Sequence, residues 1–171
     1  NAERCYARGA YADCLARLWR VLEGTLSRRL REHHGIEPAN VRLSPNQKNA
    51  DQVAQFLEAE RKDPDHLTLG TAGQVLAKCL EDKQYSLFLH QKFPGTSSSV
   101  GKVMERLRET RNKSVAGHNA QPVTEQTARE GLELAQLALV TLVPDLDLNN
   151  HPFAASAIAK LGKVFFDALC S

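Results

Sequence analysis

The stretch RNKSVAGH, from Arg111 to His118, combines three side-chain types that act together in chemistry on phosphate esters. An arginine presents a planar fork of N–H donors that matches phosphate oxygens. A histidine takes up and returns protons near neutral pH, because imidazole titrates at about pH 6.5. The asparagine between them can both donate and accept hydrogen bonds. Arg111, Asn112 and His118 therefore suit cleavage of RNA by transesterification, in which the ribose 2′-OH attacks the adjacent phosphorus.

The spacing of this motif places it on a face that the preceding residues bury. Val100, Val103, Met104 and Leu107 recur at the three-and-four spacing of an amphipathic helix. The same rhythm continues to Arg111, Ser114 and His118, so that Arg111 and His118 share one helix face. An unpaired buried charge costs several kcal/mol, and such a face must therefore be paired or open onto a cleft. The alternative is a surface arginine and a capping histidine near a helix end.

Basic residues surround the motif and predict a path for an RNA backbone along Lys102, Arg106, Arg108 and Lys113. A second basic cluster, at Arg28, Arg29, Arg31, His33 and His34, ends the first helix. Runs of charge are more often solvated helix faces than binding sites, and we expect this second cluster to be solvated. Trp19 lies beside a stripe of leucines, which predicts a core residue and not a stacking platform for bases.

Helical periodicity dominates the chain and predicts an all-α bundle with helices long enough to pack antiparallel. The first helix is predicted from Ala2 to His34 with Gly35 as its stop. Hydroxyls of Thr96–Ser99 are predicted to cap the motif-bearing helix, and Thr124 or Thr127 the helix that runs to Val143. The other predicted elements are helices at 49–62, 71–82 and 153–169, a short apolar segment at 85–93 and a linker at 144–152.

The bulk composition limits the class of protein. The 171 residues, with 42% hydrophobic and 25% charged side chains, fit one domain with a core of its own. The four cysteines are widely spaced, which predicts reduced thiols, with Cys14 and Cys79 as small core residues. The sequence has no carboxylate cluster for a two-metal nuclease and no apolar run of membrane-spanning length. We expect no metal, no cofactor, no membrane association and a cytoplasmic location.

The motif and its surroundings resemble a known family. RNKSVAGHN is similar to the Arg-x4-6-His motif of HEPN domains, including the polar residue after the arginine. The first 36 residues, NAERCYARG through HHGI, resemble the region that precedes HEPN in type III CRISPR-associated ribonucleases of the Csm/Csx group. The likeness covers residues 1–143 and leaves out the last predicted helix. The chain is thus expected to be a single HEPN-type helical domain.

The resemblance implies a metal-independent endoribonuclease that cleaves single-stranded RNA in antiviral defence, with the motifs of a homodimer meeting at one composite site. Arg111, Asn112 and His118 match the motif residues. Full-length members carry an amino-terminal CARF domain that senses cyclic oligoadenylate, so we expect this chain to be part of a longer protein. Two other interpretations stay open. One is a catalytically inactive HEPN-like module for dimerisation or nucleotide binding, and the other is a helical adaptor.

Overall fold

A computed structural model of the protein describes residues 2–63, 65–115 and 122–143. Within these ranges the chain forms seven α-helices and no β-strand, which confirms the predicted all-α class. The predicted linker at 144–152, the last predicted helix and His118 lie outside the described residues. The helices are α1 (Ala2–Ala7), α2 (Tyr11–His34), α3 (Gln47–Ala59), α4 (Leu69–Gln74), α5 (Lys83–His90), α6 (Val100–Val115) and α7 (Glu125–Leu142).

The first predicted helix is divided in two, which corrects the expectation of a continuous helix from Ala2 to His34. Gly9 adopts a left-handed conformation with φ of +74°. Its amide donates to the carbonyl of Tyr6, and the amide of Ala10 donates to that of Cys5. This pair of bonds closes the end of α1, and the chain restarts as α2 at Tyr11.

Other helix ends follow the sequence signals. Gly35 ends α2 in the left-handed conformation, as predicted. Thr124 caps α7 by accepting a hydrogen bond from the amide of Thr127, so the first of the two predicted caps is the one used. The Ser99 hydroxyl accepts a bond from the amide of Lys102 at 3.5 Å, which confirms a cap from the Thr96–Ser99 stretch.

The middle of the chain is more irregular than its periodicity predicts. The predicted helix at 71–82 is α4 followed by a π-helical segment (Val75–Cys79), in which the amide of Leu80 donates to the carbonyl of Val75. The predicted apolar segment at 85–93 is largely helical, as α5. The predicted helix at 49–62 starts earlier and ends earlier, as α3.

The core is organised by α2 and α7. Cys14, Trp19 and Cys79 are buried, as predicted. Helix α7 presents a row of small buried residues to α2, and a side chain at Gly131 would lie 3.1 Å from Leu18 Cδ1. Any larger residue at this position would have to displace the ends of the leucine side chains on α2 by a few tenths of an ångström.

Contacts at both ends show that α2 and α7 run parallel, although the long helices were expected to pack antiparallel. The Tyr6 hydroxyl, just before α2, donates to Glu125 at the start of α7. At the other end, the Arg29 guanidinium donates to the carbonyl of Leu142 at 3.4 Å. The intervening helices return the chain to the end at which α2 began. Among the described helices, none is both long enough and apolar enough to cross a bilayer.

Candidate functional site

Helix α6 carries the motif arginine at the end of its buried face. Val100, Val103 and Leu107 are at most 1% exposed, and they anchor one side of α6 in the core. Arg111 continues this face and is half-buried, as the spacing predicts. Ser114 is also half-buried, and its hydroxyl donates to the carbonyl of Arg111 at 2.8 Å. The placement of Arg111 is therefore a consequence of the apolar residues one, two and three turns earlier.

Arg111 and Asn112 open onto the same cleft. Asn112 is exposed, and its side-chain oxygen accepts a long hydrogen bond of 3.4 Å from Arg111 Nη1. Both residues line a cavity of about 590 Å³, within the size range of small-molecule sites. His118, the third predicted catalytic residue, lies outside the described residues. That it shares a helix face with Arg111 stays a prediction.

Five elements line this cleft, which we call the α6 cleft. Helix α2 contributes Trp19 and Glu23, and α5 contributes Tyr85 and Leu89. The remaining lining residues come from the segment around α4 and the π-helical turn, and from α6 itself: Thr68, Leu69, Gly70, Gly73, Gln74, Ala77, Lys78, Gly101, Met104, Glu105, Arg108, Arg111 and Asn112. The cleft therefore joins an apolar floor to a polar, partly cationic rim.

Two glycines let the walls of the cleft approach closely. A side chain at Gly101 would lie 3.3 Å from the carbonyl oxygen of Leu89, so this glycine brings the start of α6 against α5. A side chain at Gly73 would lie 2.7 Å from the Tyr85 hydroxyl, so Gly73 makes room for the buried phenol. Burial raises the pKa of Tyr85 to about 12, and this phenol stays neutral at physiological pH.

The basic residues predicted to bind RNA do not share one face. Arg108 lines the cleft, whereas Lys102, Arg106 and Lys113 do not. At 100° per residue, these three project roughly 120° to 160° away from Arg108 around α6. Their predicted role in RNA binding stays a prediction, and any RNA that contacts them runs along a face separate from the cleft.

Most of the cations on α6 already have carboxylate partners. Arg106 pairs with Glu130 at 2.6 Å, and Arg108 pairs with Glu105 at 2.5 Å. Lys113 lies 3.9 Å from Glu109. Lys102 and Arg111 have no carboxylate partner among the described residues, but only Arg111 is half-buried, and its buried Nε has no hydrogen-bond acceptor there. A buried N–H without an acceptor is rare in proteins, and on a positively charged group it is a donor that an anion could satisfy.

A second polar cluster, which sequence reasoning missed, lies in the core. Arg29 was expected in a solvated basic cluster, but it is only 9% exposed and donates two hydrogen bonds, of 2.7 and 2.9 Å, to Asp82. His34 was also expected in solvent, but it is half-buried, with its Nε2 2.6 Å from Asp82. The Asp82 carboxylate also caps α5 through the amide of Tyr85. Because Arg29 follows Leu22 and Leu26 at helical spacing, the rule that singled out Arg111 identifies it as well.

Charge pairing controls the ionisation of Asp82. Burial alone would raise the pKa of this carboxyl, but the hydrogen bonds from Arg29, from His34 and from the Tyr85 amide hold it at about 2. Asp82 is therefore ionised throughout the physiological range. Within the described residues, no group of three or more His, Cys, Asp and Glu side chains is placed to hold a metal ion.

Comparison with known proteins identifies the family of the chain. No curated protein and no solved structure matches it. A family model described as the Csm6 HEPN domain matches residues 1–139 and includes all of the described helices up to most of α7. The matched residues contain Arg111, Asn112 and the position of His118. The chain thus belongs to the family of HEPN domains found in Csm6-like CRISPR ribonucleases.

Proposed function

We propose that this protein is a metal-independent endoribonuclease that cleaves single-stranded RNA in type III CRISPR antiviral defence. Membership of the Csm6 HEPN family supports ribonuclease activity in a type III CRISPR system. In the proposal, two copies of the chain form a homodimer and bring their motifs to one composite site in the cytoplasm. A sensor domain outside this sequence supplies control by cyclic oligoadenylate. The reaction uses no cofactor.

Each motif residue has a separate role in the proposed reaction. The ribose 2′-OH attacks the adjacent phosphorus and forms a pentacoordinate phosphorane, and the bond to the 5′-oxygen of the next nucleotide breaks. His118 transfers the protons, and Arg111 stabilises the negative charge on the phosphorane. Asn112 positions the phosphate through its amide. The products are a 2′,3′-cyclic phosphate, which hydrolysis converts to a 3′-phosphate, and a 5′-hydroxyl.

The observation that carries the proposal is that Arg111 is partly buried and unpaired among the described residues. The paired arginines of α6 have carboxylates within hydrogen-bonding distance, but Arg111 is half-buried with an Nε that lacks an acceptor among the described residues. Desolvation of a guanidinium is unfavourable unless a negative group compensates for it. A scissile phosphate supplies that negative group, and it matches the guanidinium fork in geometry.

The test is cleavage of labelled single-stranded RNA by the purified chain in EDTA. We expect His118→Ala to reduce the rate by a factor of about 10² to 10⁴, as for loss of a general acid or base. His66→Ala is the matched control because His66 is exposed and does not line the α6 cleft. Equal rates for His118→Ala and the parent would refute the proposal. Arg111→Ala should also lose activity, whereas Arg20→Ala, at an exposed site on α2, should not.

The composite site is tested separately, by mixing subunits. If both copies contribute to one site, excess His118→Ala chain should lower the activity of each parent subunit after exchange, and excess His66→Ala should not. Sedimentation then separates the alternatives: a dimer that leaves RNA intact is a silent dimerisation module, and a monomer is a helical adaptor.

A further inference from the structure

We infer that the α6 cleft binds one nucleotide of the RNA strand next to the scissile bond, with its base on the apolar floor and its phosphate at the cationic rim. The inference rests on the proposed function, because it places this nucleotide beside Arg111. It goes beyond the motif in assigning binding residues on three other elements: Trp19 on α2, Lys78 on the π-helical segment and Gly70 on α4.

The lining has the two parts that a nucleotide needs. Trp19, Leu89 and Met104 give the cleft an apolar lining. Trp19 is only 4% exposed, so its ring lies beneath the floor, and the half-buried Leu89 and Met104 supply most of the apolar surface that a base would contact. Apolar and aromatic surface is what binds a base without regard to its hydrogen-bonding edge. The cleft volume of about 590 Å³ is ample for a ligand of this size.

The rim has cations available for a phosphate. Lys78 is exposed at the cleft edge, and within the described part of the chain it has no ion pair. It lines the same cleft as Arg111, whose Nε lacks an acceptor among the described residues. Arg108, by contrast, is held by Glu105. Two cleft cations without a carboxylate partner among the described residues predict that the backbone of the strand passes close to both.

Carboxylates limit where the phosphate can lie. Glu23 and Glu105 both line the cleft, and a phosphate close to either would be repelled. The phosphate therefore belongs near Lys78 and Arg111. The Glu23 carboxylate, on α2, has no ion pair within the described residues, and it can accept a hydrogen bond from an amino group of the base.

Trp19 is the single tryptophan of the chain, and its fluorescence therefore reports on the cleft directly. The probe is a short single-stranded oligonucleotide with a 2′-O-methyl group on every ribose, which cannot undergo attack by a 2′-OH. We expect saturable change in Trp19 emission as this oligonucleotide is added. Lys78→Ala should raise the apparent Kd by about fivefold, the effect of losing one exposed charge contact. Lys48→Ala, at an exposed site on α3, should leave it unchanged.

A second pair of variants tests the shape of the cleft. A Cβ at Gly70 would lie at ordinary contact distance, 4.0 Å, from the ends of the Arg108 and Thr68 side chains, and Gly70 lines the cleft. Gly70→Leu should therefore fold and obstruct the cleft, and we expect at least tenfold weaker binding. Gly24→Leu is the matched control, because Gly24 is also exposed and helical, has nothing within 4 Å of an added side chain and does not line the cleft.

The outcomes distinguish this inference from the proposed function, because binding is measured without cleavage. If RNA is cut in a His118-dependent manner but Trp19 emission does not respond to the oligonucleotide, the cleft assignment is wrong and the nuclease stands. If Gly70→Leu and Gly24→Leu bind equally well, the cleft assignment is also wrong. If 5′-AMP binds as tightly as the oligonucleotide, the cleft is a free-nucleotide site and the inference is overturned. If the oligonucleotide binds as expected while the parent cuts no RNA, the cleft assignment stands and the nuclease fails.

Discussion

Replacing Asp82 by asparagine tests whether the buried charge cluster holds the walls of the cleft in place. Asp82 follows the π-helical segment and caps α5, and both of these elements line the α6 cleft. It also accepts two hydrogen bonds from Arg29 on α2, the helix that carries Trp19. Asp82→Asn keeps the size of the side chain and an oxygen for the α5 cap, but it removes the charge that compensates the buried guanidinium.

Two independent arguments give the magnitude. The pKa of Asp82, at about 2 against an ordinary value of 3.8, corresponds to about 2 kcal/mol of stability that depends on its charge. Breaking a buried ion pair by removing one partner typically costs about 3–5 kcal/mol, since the other charge is left buried. We therefore expect Asp82→Asn to lower the free energy of unfolding by about 2–5 kcal/mol, a large part of the total for a domain of this size.

The chain offers a matched control for this measurement. Arg31 donates two hydrogen bonds to Glu37 in the same fork geometry, but this pair lies at the surface. Glu37→Gln should cost about 0.2–1 kcal/mol. Urea unfolding at pH 7, followed by circular dichroism, measures both variants. Losses that agree within about 0.5 kcal/mol would refute the argument that burial makes the Asp82 pair important.

Three further predictions follow from single contacts. Gly73→Ala places a methyl group 2.7 Å from the buried Tyr85 hydroxyl, and we expect it to lower the unfolding free energy by about 1–3 kcal/mol in urea titration. Because Asp82 has a depressed pKa, its stabilisation is complete above about pH 4 and is lost as the pH falls toward 2, so urea titrations of the parent should lose more stability over that interval than those of Asp82→Asn. Arg108→Ala should raise the KM for RNA cleavage more than Arg106→Ala, since only Arg108 lines the cleft; equal effects would contradict this.

The sequence predicted most of the helices because their buried faces follow from apolar spacing. The predictions from sequence were wrong where the conformation or the path of the backbone determines the structure. The break at Gly9 depends on a left-handed φ and two capping bonds, and the leucine stripe that follows it gives no sign of them. The parallel arrangement of α2 and α7 depends on the path of the helices between them, which local periodicity does not encode. The π-helical segment has the same apolar pattern as an ordinary helix.

The candidate site was predictable in part, through a single rule applied to α6. A charged residue at a stripe position must be paired or exposed to a cleft, and this rule found Arg111. Applied to α2, it also finds Arg29, which was assigned to solvent because neighbouring cations suggested a charged face. The rule does not say whether a given residue is paired in the core or exposed to a cleft. Asp82 lies 53 residues from Arg29 in sequence, so the pairing becomes visible only once the fold brings the two together.

The contrast between the two arginines explains why one is structural and the other is a candidate for catalysis. Both lie on the buried stripe of a long helix, and desolvation disfavours both charges. The fold supplies Arg29 with a carboxylate that is itself 4% exposed, so that cluster is already neutralised and closed to ligands. The described part of the fold gives Arg111 a cleft and no carboxylate partner. The unfavourable desolvation of Arg111 is thus relieved when an anion enters the cleft, and binding energy of this kind is what can be directed at a reacting phosphate.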